Sequence, residues 1–172
     1  SLSYAKNISF YIPVGHKNIK GLNKDFVVKK LKPILEDPSI KKVGQNIKYD
    51  FIILKKYGVE LNPVEDTMLL SYTLDAGNNR HNMDTLSELH LNHKTISYKD
   101  LVGSGKKQLK FSQVDIDKAT EYAAEDADVT LRLYEILSQR VSDEKLNQIY
   151  EAFEKPMTVS YTHLRAHETA RH

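Results

Sequence analysis

The chain has 172 residues, a formal charge of +2 and no cysteine, which fits one compact domain with a real core and leaves little for a second. No run approaches the roughly 20 apolar residues of a membrane span. Without cysteine, disulfides and thiolate metal sites are excluded, so any metal must rest on Asp, Glu or His, which favours hard ions such as Mg²⁺ or Mn²⁺.

Near-neutral charge neither demands nor forbids a nucleic-acid partner. Ser1-Leu-Ser-Tyr-Ala-Lys6 lacks a signal-peptide pattern and an initiator Met, so an excised piece of a longer chain is expected. In chain order, Leu2–Tyr4 and Ser9–Val14 read as short strands, the second peripheral because Pro13 cannot donate to a ladder. Asn23 is placed to cap a helix through Phe26, Val27, Leu31, Ile34 and Leu35, kinked at Pro33 and ended by Asp37-Pro38. Lys41–Gln45 fits a buried strand end, and Asn46 then opens a helix stopping at Tyr57-Gly58.

A strand-like piece near Leu61–Val64 leads to Asp66, which caps a helix through Met68 and Leu74. Thr85-Leu-Ser-Glu88 has the spacing of a capping box for a short helix to Leu91. Residues 93–113 read as an irregular, Lys-rich connection. A long helix is predicted from Asp117 to Val141, followed by one capped by Ser142 that runs through Leu146, Ile149, Tyr150 and Phe153. Strands precede helices, so the class is α/β or α+β with a small sheet. The tail Thr158–His172 holds three of the seven histidines without an apolar period, and is read as a non-native segment with no functional role.

The long helix carries the strongest chemical signal. At roughly 100° per residue, Asp126 falls among Ala119, Val129, Leu133, Ile136 and Leu137, whereas Glu121, Glu125, Asp128, Arg132 and Glu135 gather opposite. A carboxylate on an apolar face costs several kcal/mol unless a cation or dense hydrogen bonding compensates it. Tyr122 stands one turn earlier on the same face. Asp50, between Leu54 and Tyr57 on its own wheel, also points toward the apolar side, and two inward acids on two helices suit a shared ion. The plainer roles are a buried ion pair for Asp126, a favourable helix-dipole position for Asp50 and helix capping for Asn46. Arg80, His81, Lys106 and Lys107 lie on loops and either touch phosphates or only water. Gly103-Ser-Gly-Lys-Lys107 lacks P-loop spacing.

Gln45-Asn-Ile-Lys-Tyr-Asp50, Asp66-Thr-Met68, Arg80-His-Asn-Met-Asp84, His93-Lys-Thr-Ile96 and Tyr122-Ala-Ala-Glu-Asp-Ala-Asp-Val-Thr130 together resemble the proofreading 3′→5′ exonuclease domain of bacterial DNA polymerase I. The resemblance covers residues 1 to 157 and implies a ribonuclease H-like fold, a mixed five-stranded sheet flanked by helices, with four carboxylates holding two divalent metals, Mg²⁺ or Mn²⁺. By the same match Asp50 and Asp126 are metal-binding aspartates and Tyr122 helps orient the attacking water. Gln45, Asn46, Tyr49, Arg80 and Tyr98 fall where the family approaches a single-stranded or frayed 3′ end.

The family's first motif, Asp-x-Glu on the opening strand, is missing, since residues 1–20 contain no Asp or Glu. The expected organisation is therefore an exonuclease domain over 1–141 lacking its first strand, a connecting helix over 142–157 leading toward a polymerase domain, and the tail. The resemblance implies a cytoplasmic, monomeric setting and a parent protein that is an active exonuclease. A non-catalytic DNA-binding or spacer domain and an RNA-processing relative are the alternatives.

Overall fold

A computed structural model of the chain describes residues 1–17 and 19–158; the histidine-bearing tail lies outside them, apart from Thr158. β1 (Leu2–Ala5) and β2 (Ile8–Phe10) form an antiparallel hairpin, whose Asn7 takes a left-handed φ of 63° that Asn tolerates. β3 (Lys42–Gly44) and β4 (Val64–Asp66) pair in parallel, joined through α2 (Lys48–Lys55) in a βαβ unit. The class is α/β, as the sequence indicates. The five-stranded sheet implied by the resemblance is not what the described residues form, since they hold two separate two-stranded ladders.

α1 (Lys24–Leu35) begins where expected, with Asn23 accepting from the Phe26 amide at 3.0 Å. α3 (Thr67–Asp75) is likewise capped by Asp66 through the Met68 amide at 2.9 Å. Three predicted starts move. Asn46 does not cap α2 with its side chain: it adopts a left-handed φ of 55°, and the cap position falls to Ile47. α4 (Met83–Leu91) starts two residues before Thr85 and is entered from Asn82. Ser142 lies inside the long helix α6 (Ile116–Asp143), and the break comes at Lys145, whose φ of 59° ends the run before α7 (Asn147–Ile149) and the π turn Tyr150–Glu154. The connection read as irregular contains a helix, α5 (Tyr98–Val102), and two 3₁₀ turns at Gly105–Lys107 and Phe111–Gln113.

α6 organises the molecule. Its stripe Val129, Leu133, Leu137 and Val141 is fully buried against Leu70 of α3, Leu86 of α4 and Tyr150. The hairpin packs on the same helix with its small residues Ser3, Ala5 and Ser9 half-buried, leaving Leu2, Tyr4, Ile8 and Phe10 exposed. Asp128, placed outward by the wheel, is thereby covered: it accepts the Asn7 amide at 2.5 Å and faces Arg132 at 3.5 Å. A wheel assumes one buried face, and this helix has neighbours on several. The last turns are tied back to β4, where the buried Glu65 receives the Tyr150 hydroxyl at 2.7 Å and Lys155 Nζ at 2.9 Å.

Candidate active site

α2 is aimed by the turn before it. A Cβ on Gly44 would sit 2.7 Å from Ile47 Cγ1, so only glycine lets β3 run this close to the start of α2. The Asp66 carboxylate then accepts the amides of Asn46 at 2.9 Å and Ile47 at 3.0 Å while capping α3. Both turn amides, which have no helical partner, are satisfied by one buried acid, and its desolvation raises its pKa against those bonds. Asp66 was legible as a cap; its reach across twenty residues to the other turn was not.

Asp50 sits in the first turn of α2. The structure corrects its inward placement: Ile47, Phe51 and Leu54 face the core, Ile53 and Tyr57 are exposed, and Asp50 lies at the border, open to solvent. Enough protein surrounds it for desolvation to raise its carboxyl pKa, while the ammonium of Ser1 pulls the other way. Asp126, half-buried on α6, is pushed up to about 6, first by desolvation. Its phenolic neighbour Tyr122 and the same Ser1 ammonium oppose this, and the charges of Glu125 and Asp84 add to it. Asp126 Oδ1 is buried without a hydrogen-bond partner among the described residues. No lysine or arginine neutralises either acid in the manner of an ordinary buried pair: the ion pairs of the described residues involve neither Asp50 nor Asp126.

Burial and the Asp126 charge push the Tyr122 phenol well above its ordinary range, so it remains a protonated donor. Its ring lies 5.8 Å from Tyr98 and 6.0 Å from Phe111, in an aromatic cluster that continues to Tyr11 and His16. Tyr98 and Tyr49 are 46% and 56% exposed, which leaves ring area for a planar ligand. Arg80 is exposed on its loop. Gln45 is more engaged than expected: its Nε2 donates to the His81 carbonyl at 2.7 Å and its Oε1 accepts from Thr67 at 2.5 Å, tying the Arg80–His81 loop to β3. His81 itself is buried against Tyr72 and bonded to Ser71, a structural role.

Asp126, Tyr122 and Tyr98 therefore lie in one region, while Asp50 and Tyr49 stand in the first turn of α2. Among the described residues no cluster of three or more acids or histidines has metal-ligand spacing. Asp126, with its unsatisfied oxygen, and Asp50 each offer a carboxylate, and hard oxygen donors of that kind suit part of a divalent-ion site.

The sequence of residues 5–142 matches the family model for a 3′-5′ exonuclease. The chain belongs to that family. It is 48% identical over 158 residues to DNA polymerase I of Rhizobium leguminosarum, covering 86% of this chain and 16% of that protein. It is 45% identical over 137 residues to DNA polymerase I of Pseudomonas aeruginosa, covering 76% and 15%. The chain thus spans about a sixth of the length of these relatives. Family membership places it among mixed α/β nucleases, and the fold agrees with Brucella melitensis NrnC at a TM-score of 0.66, 22% identity, and coverage of 83% of this chain and 66% of that one. A structure of the same NrnC with bound Mg²⁺ aligns at a TM-score of 0.63. No helix of the described residues is long and apolar enough to cross a membrane.

Proposed function

We propose that this chain is the greater part of a proofreading domain that hydrolyses phosphodiester bonds at the 3′ end of single-stranded or frayed DNA. In the parent protein it would be joined covalently to a polymerase domain and work as a monomer in the cytoplasm. The supporting observation is the half-buried Asp126 carboxylate beside Tyr122, whose Oδ1 is buried without a hydrogen-bond partner among the described residues. The relatives' name and the Mg²⁺ bound by NrnC favour the same reading.

Asp50 and Asp126 would hold Mg²⁺ or Mn²⁺, and two such ions supply a nucleophile near neutral pH and counter-charge for the leaving 3′ oxygen. The remaining roles belong to side chains. Tyr122 keeps its proton, so it orients the attacking water through its hydroxyl and is not the base that activates it. Tyr98 and Tyr49 offer rings on which frayed bases stack without regard to sequence. Arg80 contacts a backbone phosphate, and Gln45 and Asn46 flank the terminal nucleotide at the turn into α2. A mispaired end costs less to unstack, so selectivity arises in the DNA.

Two of the four family carboxylates have no counterpart in residues 1–20. This chain alone is therefore expected to trim DNA weakly or not at all, whereas a chain extended upstream through an Asp-x-Glu strand is expected to shorten a 5′-labelled oligonucleotide from its 3′ end only when Mg²⁺ or Mn²⁺ is added. Gel analysis of the labelled products decides both points. Vigorous trimming by the shorter chain would refute the need for the missing pair, and an inert extended chain would favour a spacer domain.

A further inference from the structure

Glu125 directly precedes Asp126 yet turns to a different neighbour. One oxygen of its carboxylate lies 2.8 Å from His93 Nε2, and the other accepts the Ile96 amide at 2.7 Å. A single side chain of α6 thus grips both ends of the strap His93–Ile96. The strap is held from α4 as well, where Ser87 donates its hydroxyl to the His93 carbonyl at 2.8 Å and the Thr95 hydroxyl donates to Asp84 Oδ1 at 2.7 Å. Ser87 and Thr95 are both buried. Charge-assisted bonds to a backbone amide are among the stronger hydrogen bonds, and here they act on a segment with no ladder of its own.

Two residues beyond the strap, Tyr98 opens α5. A helix of five residues is too short to fix its own orientation. The strap and the rings it reaches supply that orientation: Tyr98 stacks at 18° against Phe111, 6.5 Å away, and meets Tyr122 at 5.8 Å. Tyr122 is one turn before Asp126 on the helix that also carries Glu125. The five-residue stretch Tyr122–Asp126 of α6 therefore bears both the acid proposed to bind metal and the anchor of the stacking ring.

We propose that Glu125, assisted by Asp84, is a positioning residue that sets the Tyr98 ring at a fixed place relative to Tyr122 and Asp126, so that a base stacked on Tyr98 delivers its phosphate to the site. This rests on the reading of Tyr98 as a base-stacking residue. A ring held in place before binding loses less freedom when the base arrives, which is how a residue that never touches DNA changes affinity for it.

The test is a double-mutant cycle on this chain with a fluorescein-labelled oligo-dT of about eight nucleotides in EDTA, read by anisotropy, so that cleavage plays no part. Tyr98→Ala is expected to weaken binding about tenfold, the range of one stacked base. Glu125→Ala is expected to weaken it by a similar factor, and the double variant to bind no worse than Tyr98→Ala, while His93→Gln, which keeps a donor, stays near the parent. Multiplying factors, or unchanged binding by Glu125→Ala beside an impaired Tyr98→Ala, would overturn the proposal.

A second readout is independent of DNA. Nuclear Overhauser contacts between the Tyr98 and Tyr122 rings are expected in the parent and lost in Glu125→Ala, and their persistence would sink the strap even if DNA binding fell. Absence of binding by the parent would count against the stacking reading and leave the ring contacts to decide the strap. Where Glu125→Ala does not fold, Thr95→Val loosens the strap from the α4 side, with the same ring contacts as the criterion.

Discussion

Asp126→Asn should make the protein more stable at neutral pH while removing its chemistry. The carboxyl of Asp126 titrates at about 6 in the folded chain, against about 3.9 for an ordinary aspartate. The folded state therefore binds more protons than the unfolded chain between those values, and stability falls as pH rises through that window. Below about pH 4 both states hold the proton and there is no penalty. Above about pH 6 the folded protein carries a half-buried carboxylate whose one hydrogen bond, from Tyr122, does not offset its desolvation, at a cost of roughly 2 kcal/mol.

Urea unfolding of this chain at about pH 7.5 is thus expected to show Asp126→Asn more stable by that amount, with the difference shrinking toward zero near pH 4. A loss of stability at neutral pH would mean that the existing interactions of the carboxylate outweigh its desolvation. In the upstream-extended chain the same change is expected to reduce 3′ trimming by roughly 10³-fold or more, because metal ligation supplies several kcal/mol of transition-state stabilisation. A variant both more stable and inactive is what a site held ready for a cation produces.

Leu133→Ala is expected to lower stability by about 2–5 kcal/mol, the range for a fully buried leucine. Leu133 has no exposed surface and sits among Leu70, Leu86, Val129, Leu137 and Tyr150, where α3, α4 and the final turns all meet α6. That loss is a substantial fraction of the roughly 5–15 kcal/mol that holds a typical small domain together. Ile53→Ala, on the open face of α2 and 54% exposed, is expected to change stability by no more than about 0.5 kcal/mol. Denaturant midpoints at unchanged m distinguish the two sites, and equal losses would mean that α6 is not the centre of the core.

What the sequence made legible followed short-range rules. The caps at Asn23 and Asp66 rest on side chains bonding amides two or three residues away, and the long apolar period through Val129, Leu133 and Leu137 belongs to a single helix. Both kinds of signal are contained in a dozen residues. The failures were tertiary. Asn46 is left-handed because Asp66, twenty residues on, captures its amide and that of Ile47. Asp128 and Glu125 appear on a polar arc, and only the hairpin and the strap, both distant in sequence, reveal that the arc is covered. Asp50 stands at a boundary that a helical wheel cannot resolve, because Leu54 beside it turns inward and Ile53 turns outward.

Asp126 stands out on the wheel because an acid out of place among aliphatic residues is a local contradiction, and the fold half-buries it with Oδ1 unpartnered among the described residues. The proposed pairing with Asp50 depends on where α2 starts, which the Gly44 close approach and the Asp66 clamp set.

The most direct measurement is a Mn²⁺ titration of the isotopically labelled chain followed by amide NMR, because paramagnetic broadening reports which residues surround the ion without requiring cleavage. Broadening should appear together at the first turn of α2 around Asp50 and at α6 around Asp126, and should vanish from both in Asp126→Asn. Broadening confined to one of the two helices, or unaltered by Asp126→Asn, would show that the aspartates do not share an ion.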